Sequence, residues 1–378
     1  MASPFPDDVR LYLRPVWFID SPVGVDEGEI MRLAGTLLWF QAVEVRWVGQ
    51  GVSKRAVVPL RDLQDWLAAL PDVHASRAQM LLARLSAPRP AMSISARTLR
   101  LDTPQVMGIL NMTPDSFSDG GKHSGDVEAA ADAGFAMHVA GAGMIDVGGE
   151  STRPGAEPVW EGDEIARVVP VIERLAKADV IVSVDTRKAS VMEAALAAGA
   201  GVVNDVSGLT HDLRAMDVVA ASGCLVALMH SPSPGEDPHG GRTAYAGQAG
   251  AWLPGVIFDW LEARIEACVA AGIDRARIMV DPGIGFGKAL TDDTAIINTL
   301  TLFHGLGVPL LFGASRKRIV GALSNEAKVS ERLGGSLALA MTAFGAGAQI
   351  VRVHDVPETV QVARVWRGLR DAALVAVG

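Results

Sequence analysis

The sequence predicts an α/β protein, a (β/α)8 TIM barrel with a small N-terminal α+β extension. Eight short apolar runs recur along the chain, and each is followed by enough chain for a helix. Near-continuous apolar strands that alternate with helices are typical of a parallel sheet covered on both faces. No Gly-x-Gly-x-x-Gly follows the first run, so an open dinucleotide-binding sheet is disfavoured. The runs are 106–110, 144–147, 181–184, 202–203, 225–229, 278–280, 309–312 and 350–353.

The composition excludes several classes of protein. The chain has 378 residues, a formal net charge of −9, 49% hydrophobic and 20% charged residues, so a large core is expected. An acidic balance argues against a nucleic-acid partner, which would need a basic face. Two cysteines are too few for a disulfide framework, and the acidic start lacks the apolar core of a secretory signal. We therefore expect a cytoplasmic protein with small-molecule substrates.

One uncharged segment, 333–351, is long enough to span a membrane. Glycines interrupt it at Gly334, Gly335, Gly345 and Gly347. It is better interpreted as a buried helix that passes through a glycine-rich turn into a strand, and no membrane association is expected.

Residues 1–90 form the predicted extension, and 91–378 form the barrel. In the extension, 37–40 and 43–48 suggest short strands, and 60–85 has helical spacing broken at Pro71. Residues 86–90 are typical of a linker. No catalytic constellation occurs there, so its role is predicted only as docking or stabilisation.

Polar residues lie at the carboxyl end of almost every apolar run. In a TIM barrel those ends form the active-site face. A single carboxylate after a strand is more often a helix N-cap, but so many together favour function. The residues are Asn111, Asp146, Asp185, Asn204, Asp205, His230, Asp281, Ser315, Arg352 and His354.

Seven motifs in one order resemble the bacterial dihydropteroate synthase family. They are NMTPDSFSDGG at 111–121, DVGGESTRPG at 146–155, SVDT at 183–186, NDVSG at 204–208, DPGIGFGK at 281–288, SRK at 315–317 and RVHD at 352–355. The resemblance covers roughly 91 to the C-terminus. It implies a transferase of folate biosynthesis that condenses dihydropterin-methyl diphosphate with para-aminobenzoate to give dihydropteroate and diphosphate. It further implies a homodimer that is a target of sulfonamides.

The resemblance assigns pterin recognition to residues from several strand ends. A pterin offers ring donors and a carbonyl acceptor, which suit carboxylates, an amide and a cation. The implied pterin-binding residues are Asp185, Asn204, Asp281, Lys317, Met229 and Gly285.

The leaving diphosphate needs positive charge. Arg352 and His354 are two residues apart on the last strand, so their side chains point to one side. The strand ends here are where barrels commonly hold phosphate. Mg²⁺ would carry more of the charge, and the resemblance makes Asn111 its ligand, with Thr152 beside the diphosphate. The implied catalytic residues are Lys317, Arg352, His354 and Asp185.

The second substrate requires a site for a benzoate. Ser315 is expected to cap the helix after the seventh strand and so present backbone N–H groups to a carboxylate. The resemblance implies a para-aminobenzoate pocket formed by Thr152, Arg153, Pro154, Phe286, Ser315 and Lys317.

Two other functions remain open on the sequence. A pterin-binding methyltransferase barrel would share the carboxylates and Asn204, but not the STRPG and SRK motifs. A non-catalytic pterin-binding paralogue would be expected to lack Asn111, Arg153, Lys317 or Arg352, and all four are present.

Overall fold

The computed structural model describes residues 9–49, 52–94, 97–112, 127–151, 157–231 and 252–375. Its main feature is a sheet of eight parallel strands, which confirms the predicted barrel. A bridge between Val280 and Leu310 joins the first and last strands of that sheet and closes the barrel. The strands are β7 (Gln105–Asn111), β8 (Met144–Gly148), β9 (Val182–Asp185), β10 (Val202–Asp205), β11 (Leu225–Met229), β12 (Ile278–Asp281), β13 (Leu311–Phe312) and β14 (Ile350–Val353).

Helices follow the strands and cover the outside of the barrel. The apolar outer faces of the strands, such as Val147, Val184 and Val203, are fully buried. The helices are α3 (Val127–Ala140), α4 (Glu161–Lys177), α5 (Ala189–Ala197), α6 (Ala215–Ser222), α7 (Leu253–Ala270), α8 (Leu290–Asn298), α9 (Arg318–Leu323), α10 (Leu333–Gly345) and α11 (Val356–Leu374), with a 3₁₀ helix at Leu300–Leu306.

The lower half of the barrel is filled by apolar side chains. Met107, Met144, Met279 and Ile350 form one buried cluster with residues of a short hairpin, β5 (Met92–Ile94) and β6 (Arg97–Leu99). Because strand side chains alternate in direction, the residues two positions further along each strand also point into the barrel. The polar residues at the ends of these strands therefore lie above the apolar floor, in the carboxyl-terminal half of the barrel.

The N-terminal extension is an antiparallel sheet followed by helices. Strand β3 (Trp39–Gly49) pairs with β1 (Arg10–Ile19), β2 (Met31–Arg32) and β4 (Val52–Pro59). The prediction of two separate strands at 37–40 and 43–48 was wrong, because one strand, β3, starts at Trp39 and continues without a break to Gly49. The predicted helix break is confirmed, since α1 (Leu63–Ala68) ends before Pro71 and α2 (Asp72–Ser86) begins after it.

The extension is bound to α7 of the barrel through a group of ion pairs around Glu262. The Glu262 carboxylate lies 2.5 Å from Arg10 Nη2, 3.3 Å from Arg77 Nη1 and 2.7 Å from Arg84 Nη1. Tyr12 donates a hydrogen bond of 2.7 Å to Asp259, one turn earlier on α7. Three arginines distant in sequence thus meet one carboxylate on the barrel.

The segment 86–90, predicted as a linker, is held firmly in place. Arg89 is 6% exposed, and its Nη2 donates to the carbonyl of His304 at 2.8 Å, in the 3₁₀ helix of the barrel. Its backbone N–H also donates to the carbonyl of Ala34 in the extension. Arg89 therefore bonds to both parts of the chain.

The uncharged segment 333–351 folds as predicted, into helix α10 followed by strand β14. Among the described residues, no helix is both long enough and apolar enough to cross a membrane.

Replacement of Glu262 by alanine should loosen the extension. Removal of one partner of a buried ion pair typically costs about 3 kcal/mol because the remaining charges lose their counter-ion. Glu262→Ala should therefore lower the free energy of unfolding, measured by urea denaturation, by about that amount. Glu266→Ala is the control, because Glu266 pairs with Arg84 and Arg275 but its side chain is 53% exposed. Equal stability of the two variants would contradict this account of the docking contact.

Candidate active site

Arg352 links two carboxylates across the mouth of the barrel. Its Nε lies 2.6 Å from Asp146 Oδ2, and its Nη2 lies 2.6 Å from Asp185 Oδ2. The three residues belong to β14, β8 and β9, and β7 separates β14 from β8 in the sheet. The contacts therefore cross the interior of the barrel. Oxygen Oδ1 of each carboxylate is buried and has no hydrogen-bond partner among the described residues.

Asn204 and Asn111 extend this polar group. Asn204 Nδ2 donates to Asp146 Oδ2 at 3.0 Å, so one carboxylate oxygen receives both the amide and the guanidinium. A Cβ placed on Gly148 would lie 3.7 Å from Asn111 Oδ1 and 3.8 Å from Asp185 Oδ2. The amide oxygen of Asn111 and the Asp185 carboxylate thus flank the same glycine.

Burial and the neighbouring opposite charge act against each other on the pKa values of Asp185 and Arg352. Burial raises the pKa of Asp185 to about 7, although Arg352 opposes the shift and Asp146 adds to it. Burial alone would lower the pKa of Arg352, but Asp146 and Asp185 outweigh it and raise that pKa. The guanidinium is therefore charged at every physiological pH.

Asp281 and Lys317 form the opposite part of the mouth. Burial raises the pKa of Asp281, against the influence of Lys317. Burial lowers the pKa of Lys317 to about 8, against the influence of Asp281. The Lys317 ammonium donates to the carbonyl of Ile284 at 2.6 Å and lies 4.5 Å from the centre of the Phe286 ring.

The structure brings Lys317 close to the Gly285 backbone as well. Gly285 has a φ of +79°, and a Cβ there would lie 3.1 Å from Lys317 Cδ. Gly285, Phe286 and Lys317, which come from two different loops, therefore form one continuous wall.

The predicted role of Ser315 as a helix cap is wrong. Helix α9 begins at Arg318, and its N-cap residue is Lys317, which makes no side-chain capping bond. Ser315 Oγ instead accepts the backbone N–H of His354 at 3.2 Å and lies 3.1 Å from His354 Nδ1. The hydroxyl faces the neighbouring strand end because β13 and β14 are paired. Ser315 thus orients His354 rather than α9.

Two of the polar strand-end residues have structural partners. Asp205 accepts hydrogen bonds from the backbone of Ser207 and Leu209, so it orders a turn. His230 is 2% exposed and packs edge-on against Trp260, with the ring centres 5.1 Å apart. Asp185, by contrast, does not cap α5, because the first N–H of that helix donates to Asp212.

Met229 is the last residue of β11 and is paired in register with Asp281, so the two are adjacent at the mouth. Thr152, Arg153 and Pro154 lie outside the described residues, as does the part of the 111–121 motif from Thr113 onward.

Sequence reasoning missed a buried ionic group beside the mouth. Lys188 Nζ lies 2.6 Å from Glu164 Oε2 and 3.2 Å from Glu150 Oε1, and it donates to the carbonyl of Val159 at 2.6 Å. Glu164 is fully buried in the first, acidic turn of α4. The sequence around Glu164 does not indicate that this carboxylate is buried, because its partner Lys188 follows a different strand.

Comparison with known proteins decides the family. A family model described as pterin binding enzyme matches residues 107–354. The dihydropteroate synthase of Escherichia coli (strain K12) is 42% identical over 272 residues, which cover 71% of this chain and 92% of the relative. The chain belongs to the dihydropteroate synthase family.

Solved structures of the family agree with this assignment. The Xanthomonas albilineans dihydropteroate synthase with 4-aminobenzoic acid is 43% identical, with a TM-score of 0.67, and covers 75% of this chain and 98% of that one. The Yersinia pestis dihydropteroate synthase in a sulfonamide drug complex is 42% identical, with a TM-score of 0.69, over 75% of this chain and all of that one. The catalytic barrel of the family is thus present over most of its length.

The turn after β12 depends on Gly283, which has a φ of +75° and would place a Cβ 2.0 Å from the carbonyl oxygen of His230. Gly283→Ala should lower the free energy of unfolding by at least about 3 kcal/mol, from left-handed backbone strain plus overpacking. Thermal and urea denaturation measure the loss. The control is Gly334→Ala in α10, where an added Cβ has no neighbour within 4 Å. That change should be neutral or stabilising, and similar losses in both variants would refute the close contact.

Proposed function

We propose that this chain condenses a dihydropterin-methyl diphosphate with para-aminobenzoate and releases diphosphate and dihydropteroate. The observation that carries the proposal is the convergence of Asp146, Asp185, Asn204 and Arg352 in one hydrogen-bonded group inside the barrel mouth. Asp281 ends β12, and Lys317 precedes α9 and bonds to the Ile284 carbonyl in the loop after β12. These are the donors, acceptors and charges that a pterin and a departing diphosphate require.

The pterin is proposed to bind along the inner wall from β9 to β12. Asp185, Asn204 and Asp281 would meet the ring amino and N–H groups, and Lys317 would donate to the ring carbonyl. Asp185 Oδ1 supports this assignment, because it is buried without a partner among the described residues, and an unpaired buried acceptor is costly unless a ligand fills it. Met229 is proposed to pack on the ring, and Gly285 allows the backbone to approach it.

The diphosphate is proposed to lie near Arg352, His354 and Thr152. Arg352 uses Nε and Nη2 for the carboxylates, and its position on β14 places its charge beside the strand ends where phosphate commonly binds. Ser315 holds the imidazole of His354 in place.

Magnesium is the proposed cofactor, with Asn111 as its protein ligand. Among the described residues, no group of three or more His, Cys, Asp or Glu side chains could hold a metal ion. A single amide oxygen suits Mg²⁺, which keeps several waters and takes the rest of its ligands from substrate phosphates. When bound, the ion would neutralise charge on the leaving diphosphate.

Catalysis then consists of positioning and charge stabilisation. The bond between the pterin methylene and the diphosphate breaks, and the ring delocalises the positive charge that develops. Asp146 and Asp185 lie where they would stabilise that charge. The amine of para-aminobenzoate is already a free base at neutral pH, so it attacks the methylene and afterwards loses a proton to water.

The para-aminobenzoate pocket is proposed on the outer side of Lys317. Phe286 lies on the loop after β12, Ser315 shares the loop after β13 with this lysine, and Thr152, Arg153 and Pro154 are proposed to complete the pocket. The relative from Xanthomonas albilineans carries 4-aminobenzoic acid, which supports the same substrate here. The sulfonamide complex of the Yersinia pestis protein likewise supports binding of sulfonamides as competitors.

We further propose a cytoplasmic homodimer. Met341 of α10 and Val365 and Leu369 of α11 are at least half exposed, on two helices that pack together. Large exposed apolar side chains on neighbouring helices favour a protein interface. Sedimentation velocity should give a species of twice the chain mass, and a monomer at micromolar concentration would refute the dimer.

The direct test combines purified protein, Mg²⁺, the pterin diphosphate and labelled para-aminobenzoate. Labelled dihydropteroate is the expected product. Pterin binding without product would favour the non-catalytic paralogue. The methyltransferase needs a methyl donor, so its assay is a parallel mixture with a methylated pterin and a thiol acceptor. Methyl transfer in that mixture, without dihydropteroate in the first, would favour it. The relatives compared above are dihydropteroate synthases by name, which disfavours this alternative.

The pH dependence follows from Lys317. Its pKa is lowered to about 8, so the ammonium that donates to the pterin is lost as pH rises through that value. The value of kcat/KM for the pterin diphosphate, which reports the free enzyme, should therefore fall on the basic side with a pKa of about 8. Lys317→Arg should be less active but should lack this basic limb, because a guanidinium stays charged. A limb that persists unchanged in Lys317→Arg would contradict the assignment.

A further inference from the structure

The turn from Gly283 to Phe286 is held by charged side chains at four successive residues. The Gly283 carbonyl accepts from Lys288 Nζ at 2.6 Å, and the Ile284 carbonyl accepts from Lys317 Nζ at 2.6 Å. The Gly285 N–H donates to Asp293 Oδ1 at 2.8 Å, and the Phe286 carbonyl accepts from Lys288 Nζ at 3.1 Å. Two of these side chains, Lys288 and Asp293, have no role in the reaction described above.

Lys288 bonds this turn to the end of the neighbouring strand, β11. Its side chain is buried, and its ammonium also donates to the His230 carbonyl at 3.3 Å, directly after β11. A lysine ammonium has three N–H donors, and three backbone carbonyls accept them here. The contact between the two segments is close, since a Cβ on Gly283 would clash with the same His230 carbonyl.

The shape of the turn decides where Lys317 and Phe286 lie. Lys317 Nζ bonds to the middle of the turn at Ile284 and lies over the Phe286 ring at its end. If the carbonyls of Gly283 and Phe286 lost their donor, the turn could relax, and both the ring and the acceptor of Lys317 would shift. Displacement of a reacting group by about 1 Å can cost up to about a hundredfold in rate.

We propose that Lys288 is a positioning residue for the para-aminobenzoate side of the site. It acts through the 283–286 turn and sets the place of Phe286 and Lys317, without contact with either substrate. Asp293 is its companion, because it accepts the Gly285 N–H in the middle of the turn, as Asp281 accepts the Gly283 N–H at its start. The charged groups near Lys288 are Asp281, Asp292, Asp293 and Lys317. This proposal rests on the proposed reaction, since it concerns the binding of the second substrate.

The test is steady-state kinetics of Lys288→Met and Lys288→Gln. Methionine has a similar length and no donors, whereas glutamine keeps two N–H donors. In Lys288→Met, KM for para-aminobenzoate should rise about tenfold or more, and KM for the pterin diphosphate should change by less than about threefold. The reason for the split is that the pterin keeps Asp185 and Asn204, which lie on strands that Lys288 does not bond, so a shift of Lys317 weakens only one of its proposed contacts. Lys288→Gln should lie between the wild type and Lys288→Met.

Matched measurements separate this role from a purely structural one. Thermal melts followed by circular dichroism show the range of temperature over which each variant stays folded, and the kinetics are measured within it. The control is Lys328→Met, because Lys328 is exposed. If Lys288→Met does not fold, Lys288→Gln carries the test on its own. Wild-type KM values in a folded variant, or an equal rise in both KM values, would overturn the proposal. Failure of the proposed reaction itself would differ, because wild type and Lys328→Met would then give no product either.

Discussion

The site depends on the bridge that Arg352 makes between Asp146 and Asp185. Two carboxylates inside a barrel would each be costly to bury, and each would repel the other. A guanidinium fixed between them by two 2.6 Å contacts offsets both effects, and Asn204 adds a further donor to Asp146. Removal of Arg352 would leave buried charges unpaired, which typically costs about 3–5 kcal/mol. The same bridge fixes the spacing of β14, β8 and β9 at the mouth.

The arrangement also explains why the barrel is polar at one end only. Methionine, isoleucine and leucine fill the floor with the β5–β6 hairpin beneath them, so water is excluded from below. The polar groups above can then act in a medium of low dielectric, where preorganised charges have most effect. The extension reinforces the outside of the same barrel, because three of its arginines pair with Glu262 of α7 and Arg89 bonds to the 3₁₀ helix.

The sequence predicted the barrel well because its signals are local. Each parallel strand is buried on both faces, so each appears in the sequence as an apolar run. Side chains alternate in direction along a strand, and Asp146, Asp185 and Asp281 occupy positions that point into the barrel. The motif resemblance assigned Lys317 and Phe286 to one pocket, and the structure brings the Lys317 ammonium to 4.5 Å from the centre of the Phe286 ring.

Predictions failed where the partner is distant in sequence. Ser315 has the local pattern of a helix cap, but its hydroxyl bonds to His354 because strand pairing brings the two together. Lys288 is the last residue of a glycine-rich motif, and only the folded chain shows that its ammonium bonds to the His230 carbonyl. The three arginines that surround Glu262 are spread over the extension, so no spacing rule could have grouped them.

A crystal structure of the chain with a non-hydrolysable dihydropterin-methyl diphosphate analogue tests the central claim most directly. The account predicts the ring edge within hydrogen-bond distance of Asp185, Asn204 and Asp281, with the phosphate groups directed toward Arg352 and His354. An analogue bound outside the mouth of the barrel, or one that leaves those three side chains without contact, would contradict it.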